Sequence, residues 1–109
     1  MARSRCACFT LNNWTEEEKK AIISLDTYTY LIIGHEQGGQ NTPHLQGYIE
    51  FKKKQSFSVL KKFNKRIHWE PRRGKQNQAI DYCKKEGNFE EYGEPKKQGD
   101  RIDLKKQEK

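Results

Sequence analysis

Little of this 109-residue chain is apolar: hydrophobic residues make up 32% of it. Such a composition builds one modest core at most, so each element must bury one face and leave the other to water or a partner. No run approaches the roughly 20 apolar residues of a membrane span, and the opening Met1-Ala2-Arg3-Ser4-Arg5 lacks the apolar segment of a secretion signal. An intracellular protein with no membrane partner is expected. Cysteines number only three: Cys6 and Cys8 form C-x-C, and Cys83 stands far along the chain. An odd count argues against a disulfide framework, and zinc would want four closely spaced ligands, so the thiols are read as core filling. No G-x-x-x-x-G-K-S/T occurs, which removes ATP hydrolysis from the functions to consider.

What is abundant is positive charge. Twenty-two Lys and Arg against fifteen Asp and Glu leave +7, a balance that attracts polyanions and raises their encounter rate. A merely well-solvated surface has the same charge, so composition alone does not choose between the two.

Patterning along the chain predicts eight elements. Residues 5–12 read as a strand that ends at the Asn12-Asn13 turn signal. Thr15 followed by three glutamates has the form of a helix N-cap with acids in its first turn, starting a helix that runs to about Leu25. Residues 27–36 and 44–51 read as strands joined by a Gly-rich loop, with Pro43 where a strand can begin. Ser56 caps a short helix containing Phe57, Val59, Leu60 and Phe63, residues 67–70 form a short strand, and residues 76–86 form a helix stopped by Gly87. Residues 89–92 add a last strand, and beyond Pro95 the chain is a polar, Lys-rich tail. The order β-α-β-β-α-β-α-β predicts the α+β class, an antiparallel sheet with packed helices.

Two groups of residues carry chemistry. Side chains two apart on a strand share a face, so His44 and Gln46 point together, and hairpin pairing brings Glu36 to the same end. One imidazole, one carboxylate and one amide oxygen make a hard donor set suited to Mn²⁺ or Mg²⁺. A metal there would polarise a phosphodiester, although His-x-Gln taken alone is equally what a solvated sheet face presents. On the last helix Ala79, Ile80 and Cys83 form the apolar stripe, and Tyr82 and Lys85, three apart, stand together at its edge. A phenol ordinarily ionises near pH ~10, and a neighbouring cation assists it as a nucleophile. A half-buried tyrosine whose ring packs is the commoner arrangement.

Taken in order, Cys8-Phe9-Thr10-Leu11-Asn12-Asn13, then Thr42-Pro43-His44-Leu45-Gln46-Gly47-Tyr48, then Tyr82-Cys83-Lys84-Lys85-Glu86-Gly87, resemble the three motifs of HUH-endonuclease replication initiators. The likeness is greatest to those of circoviruses and nanoviruses. Gln46 stands where many members have a second histidine, and Glu86 leaves a single tyrosine in the third motif. The resemblance implies a five-stranded antiparallel, ferredoxin/RRM-like fold and a metal-dependent transesterification in single-stranded DNA at a viral stem-loop origin. Tyr82 is then the nucleophile, Lys85 the motif lysine, and Glu36 the carboxylate ligand beside His44 and Gln46. It also implies residues 1–95 as the nicking domain, 96–109 as a linker toward a helicase domain, and action in the host nucleus. The isolated domain is expected to be monomeric and the full-length protein oligomeric.

Basic residues cluster around the second helix and again after Trp69. Cations mixed with aromatics suit single strands, whose phosphates are neutralised while bases stack. Asn12, Trp14, Trp69, Arg72, Arg73 and Lys75 are the expected contacts. Two rivals stay open at this point. An RNA-binding RRM shares the βαββαβ plan, and Gly47-Tyr48-Ile49-Glu50-Phe51 resembles the tail of its RNP1 motif; His44-Leu45-Gln46 replaces that motif's first half. A packaging protein would want a longer basic arm than the five N-terminal residues.

Overall fold

The computed structural model describes residues 3–37, 42–72 and 74–97. The elements are β1 (Arg3–Asn12), α1 (Glu16–Ile23), β2 (Tyr28–Gln37), β3 (Pro43–Ser56), α2 (Phe57–Phe63), β4 (His68–Glu70), α3 (Gln76–Lys84) and β5 (Phe89–Gly93). Order and type are as patterning predicts. The main departure is β3, which continues five residues past Phe51 because β1 supplies it with partners as far as Ser56. At the far end of α3, Gly87 adopts φ 79° and donates its N–H to the Lys84 carbonyl at 2.9 Å, the glycine stop expected there.

Five strands form one antiparallel sheet in the order β4-β1-β3-β2-β5. Alternation sends Ala7, Phe9, Leu11, Leu31, Ile33, Leu45, Ile49 and Phe51 to one face, where Ile22 of α1, Leu60 of α2 and Ile67 complete the larger core. Tyr30, Ile32 and Tyr48 point the other way and pack against Ala79 and Cys83 of α3. The βαββαβ part is therefore ferredoxin-like, with α1 and α2 on one side, while α3 and β5 are additions. That placement of α3 matters for function, because it covers the sheet face on which an RRM stacks bases. Gly47 allows a close internal approach: the Phe9 ring lies where its Cβ would be, 2.0 Å away.

The turn from β1 into α1 is fastened by charge. Thr15 and Glu18 form a capping box, with Glu18 N–H on the Thr15 hydroxyl at 3.1 Å and Thr15 N–H on the Glu18 carboxylate at 3.0 Å. Arg66 Nε donates to that carboxylate at 2.8 Å, and its Nη2 reaches the Asn12 and Asn13 carbonyls at 3.0 and 2.8 Å. The guanidinium first, with Asn64 and the Thr15 N–H, outweighs burial and holds the Glu18 carboxyl at about 2. A carboxyl depressed in the folded state contributes stability that is complete above its ordinary value of 4.5 and is lost as pH falls through about 2. Wild type should therefore melt higher than Arg66→Ala at neutral pH, and the gap should narrow as pH drops from 4.5 toward 2, leaving what Arg66 contributes through the Asn12 and Asn13 carbonyls. Circular dichroism melts across that range check it; a gap of undiminished size at pH 2 would remove the ion pair as its source.

Candidate functional site

Register across the sheet assembles the first half of the site. Glu36 lies opposite His44 and Gly34 opposite Gln46, while on the other side of β3 Asn12 lies opposite His44 and Thr10 opposite Gln46. Asn12, His44 and Glu36 thus form one row, and Thr10, Gln46 and Gly34 the next, on the face that carries α3. His44 Nε2 is 2.9 Å from Glu36 Oε1. The Glu36 side chain is only 7% exposed, and its Oε2 is buried without a hydrogen-bond partner. Such an atom is costly unless something positive reaches it. Gln46 accepts from the Thr10 hydroxyl through Oε1 at 3.2 Å and donates Nε2–H to the Phe9 carbonyl at 3.4 Å. Among the described residues no group of three or more His, Cys, Asp and Glu could hold a metal ion. The convergent set has two of those types, and its third member is an amide.

The second half arrives on α3. A Cβ on Gly34 would lie 2.1 Å from the Cys83 carbonyl oxygen, so the last turn of the helix rests directly on bare backbone. This contact sets Tyr82 and Lys85 beside the Glu36 row. Lys85 Nζ is 3.6 Å from Glu36 Oε1 and 3.9 Å from the centroid of the Tyr82 ring. Hydrogen bonding with Tyr82 is the main influence raising the Lys85 pKa; burial opposes it, and the Glu36 charge adds to the rise. The ammonium therefore stays charged between the carboxylate and the phenol. Phenol and candidate ligands open on the same side of the molecule.

Tyr82 is also set apart from the other tyrosines. Tyr28 donates to the Ile23 carbonyl, Tyr30 to Glu91, Tyr48 to Glu50 and Tyr92 to Glu90. Burial raises the first three, and the bond to Glu90 pushes Tyr92 to about 12. Tyr82 is half exposed, and among the described residues its hydroxyl is not committed to any carboxylate or carbonyl. It faces a cavity of about 480 Å³ whose wall includes Thr10, Gln46, Cys8, Ala79 and Gln78. The wall also includes His68 and Glu70 of β4, whose side chains pair at 2.8 Å. Sequence reasoning passed over these two; the signal for them was the alternation in His68-Trp69-Glu70, which puts both on the site face.

The same alternation moves Trp69 away from the site, a correction to its expected role in base stacking. Trp69 lies opposite Phe9, packs on the larger core with ring centroids 5.3 Å apart, and buries its indole N–H. Trp14 also packs on that core, edge-on to His35 at 5.4 Å. Asn12 is exposed in the His44 row, and Lys75 is exposed at the start of α3. Arg73 lies outside the described residues. Arg72 turns inward, donating to the Tyr48 hydroxyl at 3.1 Å.

That contact belongs to a buried network the sequence did not announce. Glu50 is 7% exposed and accepts from the Tyr48 hydroxyl at 2.6 Å, Gln76 Nε2 at 2.6 Å and the Lys96 N–H at 2.8 Å. Gln76 also donates to the Lys96 carbonyl at 2.7 Å. A carboxylate with three donors is well satisfied. Here it fastens the first turn of α3 to the sheet and pins Lys96, the first residue expected in the linker; residues 98–109 of that expected linker lie outside the described residues. Burial pushes the Cys83 thiol to about 12 and Cys8 to about 11, so both serve as apolar filling.

Fold and site together define the class: an α+β sheet domain of basic charge in which a phenol and an ammonium on one helix meet a carboxylate, an imidazole and an amide on a hairpin. The family whose description is "Putative viral replication protein" matches residues 4–86. The chain is 48% identical over 100 residues to the replication-associated protein of Canary circovirus, covering 89% of this chain and 34% of that protein. It is 44% identical over 101 residues to that of Porcine circovirus 2, covering 88% and 32%. To the Para-Rep C2 of Subterranean clover stunt C2 alphasatellite it is 42% identical over 100 residues, covering 88% and 36%. The chain belongs to this family of viral replication-associated (Rep) proteins, and it spans about a third of the length of the curated relatives it matches.

Proposed function

We propose that this domain nicks and rejoins single-stranded DNA to initiate replication of a viral genome, with Tyr82 as the nucleophile. The phenol oxygen attacks the phosphorus, the bond from phosphorus to the 3′ oxygen breaks, and the phenol proton leaves as the 3′ oxygen gains one. The products are a 5′ phosphotyrosine and a 3′ hydroxyl. No water is consumed, so the same steps in reverse rejoin the strand. Lys85, between Tyr82 and Glu36, neutralises charge as the phenol oxygen turns toward the phosphate. What supports this reading most is that single ammonium in contact with both halves of the site.

Glu36, His44 and Gln46 would hold a divalent metal, Mn²⁺ or Mg²⁺. The unpartnered Glu36 Oε2 and the hard N/O donor set fit such an ion. When bound, it supplies Lewis-acid polarisation of the phosphodiester. Glu36 is the residue best held for the task, through His44 on one side and Lys85 on the other.

Titration calorimetry with Mn²⁺ tests the donor set without reference to catalysis. Glu36→Gln should weaken Mn²⁺ binding at least tenfold, the lower end of what even outer partners of metal ligands contribute, and should slow nicking of a labelled origin strand in parallel. Equal Mn²⁺ affinity in the two proteins would exclude Glu36 as a ligand.

A further inference from the structure

Helix α3 has little to hold it by packing alone. Its buried side chains are Gln76, Ala79 and Cys83, two of them small and one polar, so apolar burial contributes less here than in a helix with a full stripe of large residues. Polar ties therefore help decide how it sits, and they come from the chain that forms β5 and leaves the sheet after it. At one end of the helix Lys84 Nζ lies 3.8 Å from Glu91 Oε2 and 5.2 Å from the centroid of the Phe89 ring. The chain then turns at Gly93, φ 76°, where the Thr29 carbonyl leaves no room for a Cβ, and Glu94 N–H bonds that same carbonyl at 3.2 Å. At the other end of the helix Lys96 meets Gln76. Residues 89–96 thus run alongside α3 and touch it at both ends.

The contact at Lys96 is made by main chain. Both polar groups of its backbone are taken, the N–H by Glu50 Oε1 at 2.8 Å and the carbonyl by Gln76 Nε2 at 2.7 Å. Gln76 Nε2 also donates to Glu50 Oε2 at 2.6 Å, which closes a ring of three residues. The Tyr48 hydroxyl, itself accepting from Arg72 at 3.1 Å, gives Glu50 Oε2 a second donor at 2.6 Å and anchors the ring in the sheet. Glu50 and Gln76 are buried, and a buried carboxylate deprived of a donor is costly, so the ring resists opening. We propose that this ring makes the departing chain and α3 one unit: Glu50 and Gln76 are positioning residues for Tyr82, and drawing Lys96 out of the ring unseats the helix that carries it. The ring stands if Tyr82 is inert; its effect on strand cleavage rests on the nicking reading.

Because the ring uses only the main chain of Lys96, two substitutions at that position separate it from the side chain. Lys96→Pro deletes the N–H that Glu50 accepts, and Lys96→Ala keeps it. Hydrogen exchange followed by NMR on the full chain should show the α3 amides from Ile80 to Lys84 exchanging about tenfold faster or more in Lys96→Pro, with the β1 amides from Ala7 to Leu11 within about twofold of wild type. Lys96→Ala should match wild type throughout. Glu50→Gln should loosen the same α3 amides, since one amide oxygen accepts from Lys96 or from the two donors on Oε2, not from both sides. Single-turnover nicking at saturating labelled origin strand should slow about tenfold in Lys96→Pro with DNA affinity within about twofold, because displacing a reacting group by about 1 Å costs up to about a hundredfold. Unchanged α3 exchange in Lys96→Pro would overturn the proposal, and so would equal acceleration in α3 and β1, which is what loss of overall stability produces. Faster α3 exchange with an unchanged nicking rate would reject the positioning role. Should wild type itself form no covalent band, the nicking reading is what fails, and the exchange rates alone decide whether the ring seats α3.

Discussion

Tyr82→Phe should abolish the covalent protein–DNA band formed with a labelled origin strand, reducing nicking by roughly 10³-fold or more, as loss of a nucleophile does. The fold should be little affected, the hydrogen bond between Tyr82 and Lys85 being the one interaction of the hydroxyl that is lost. Tyr82 is half exposed, and among the described residues its hydroxyl donates to no carboxylate or carbonyl, so stability should stay within about 0.5 kcal/mol of wild type. DNA and Mn²⁺ affinity should be retained because the phenylalanine ring can still lie under Lys85 Nζ, now 3.9 Å from the Tyr82 centroid. The assay compares wild type and variant with Mn²⁺ present and chelated. Equal nicking by both would end the assignment of Tyr82, since each of the other four tyrosines has its hydroxyl bonded elsewhere.

Gly34→Ala should do nearly as much damage without replacing any reacting group. Its methyl would sit 2.1 Å from the Cys83 carbonyl oxygen, a main-chain atom that cannot swing aside as a side-chain tip can. Relief requires lifting the end of α3 from the sheet. Overpacking of this kind costs about 3 kcal/mol, and the helix that moves carries Tyr82 and Lys85. Urea unfolding should show the loss of stability, and nicking should fall at temperatures where the variant is still folded. A variant as stable and active as wild type would mean that α3 does not rest on β2 here, and the geometry argued for Lys85 would go with it.

The two halves of the site were legible to different degrees. His44 and Gln46 share a face because a strand repeats every two residues, and Tyr82 and Lys85 neighbour one another because a helix brings residues three apart together. Both are local facts. That Glu36 joins His44 needed only hairpin register, which the short loop and the alternation on both strands constrain. Trp69 was misread because an aromatic among arginines looks like a stacking platform, whereas its side of the sheet is decided by pairing with Phe9. Nothing local to its strand marked Glu50 for a role; a helix from a distant part of the chain buries it and supplies Gln76 as one of its donors.

By itself the sequence determined the eight elements and their order, the basic charge and the two small groups of reactive residues, since each depends on contacts within one strand, one hairpin or one helical turn. Only the tertiary structure decided that α3 crosses to the face opposite α1 and α2. The physical reason is that a helix with a narrow stripe of Ala79 and Cys83 can lie close against a sheet, and Gly34, lacking a side chain, provides the place to land. From that one contact follows the meeting of Tyr82, Lys85 and Glu36.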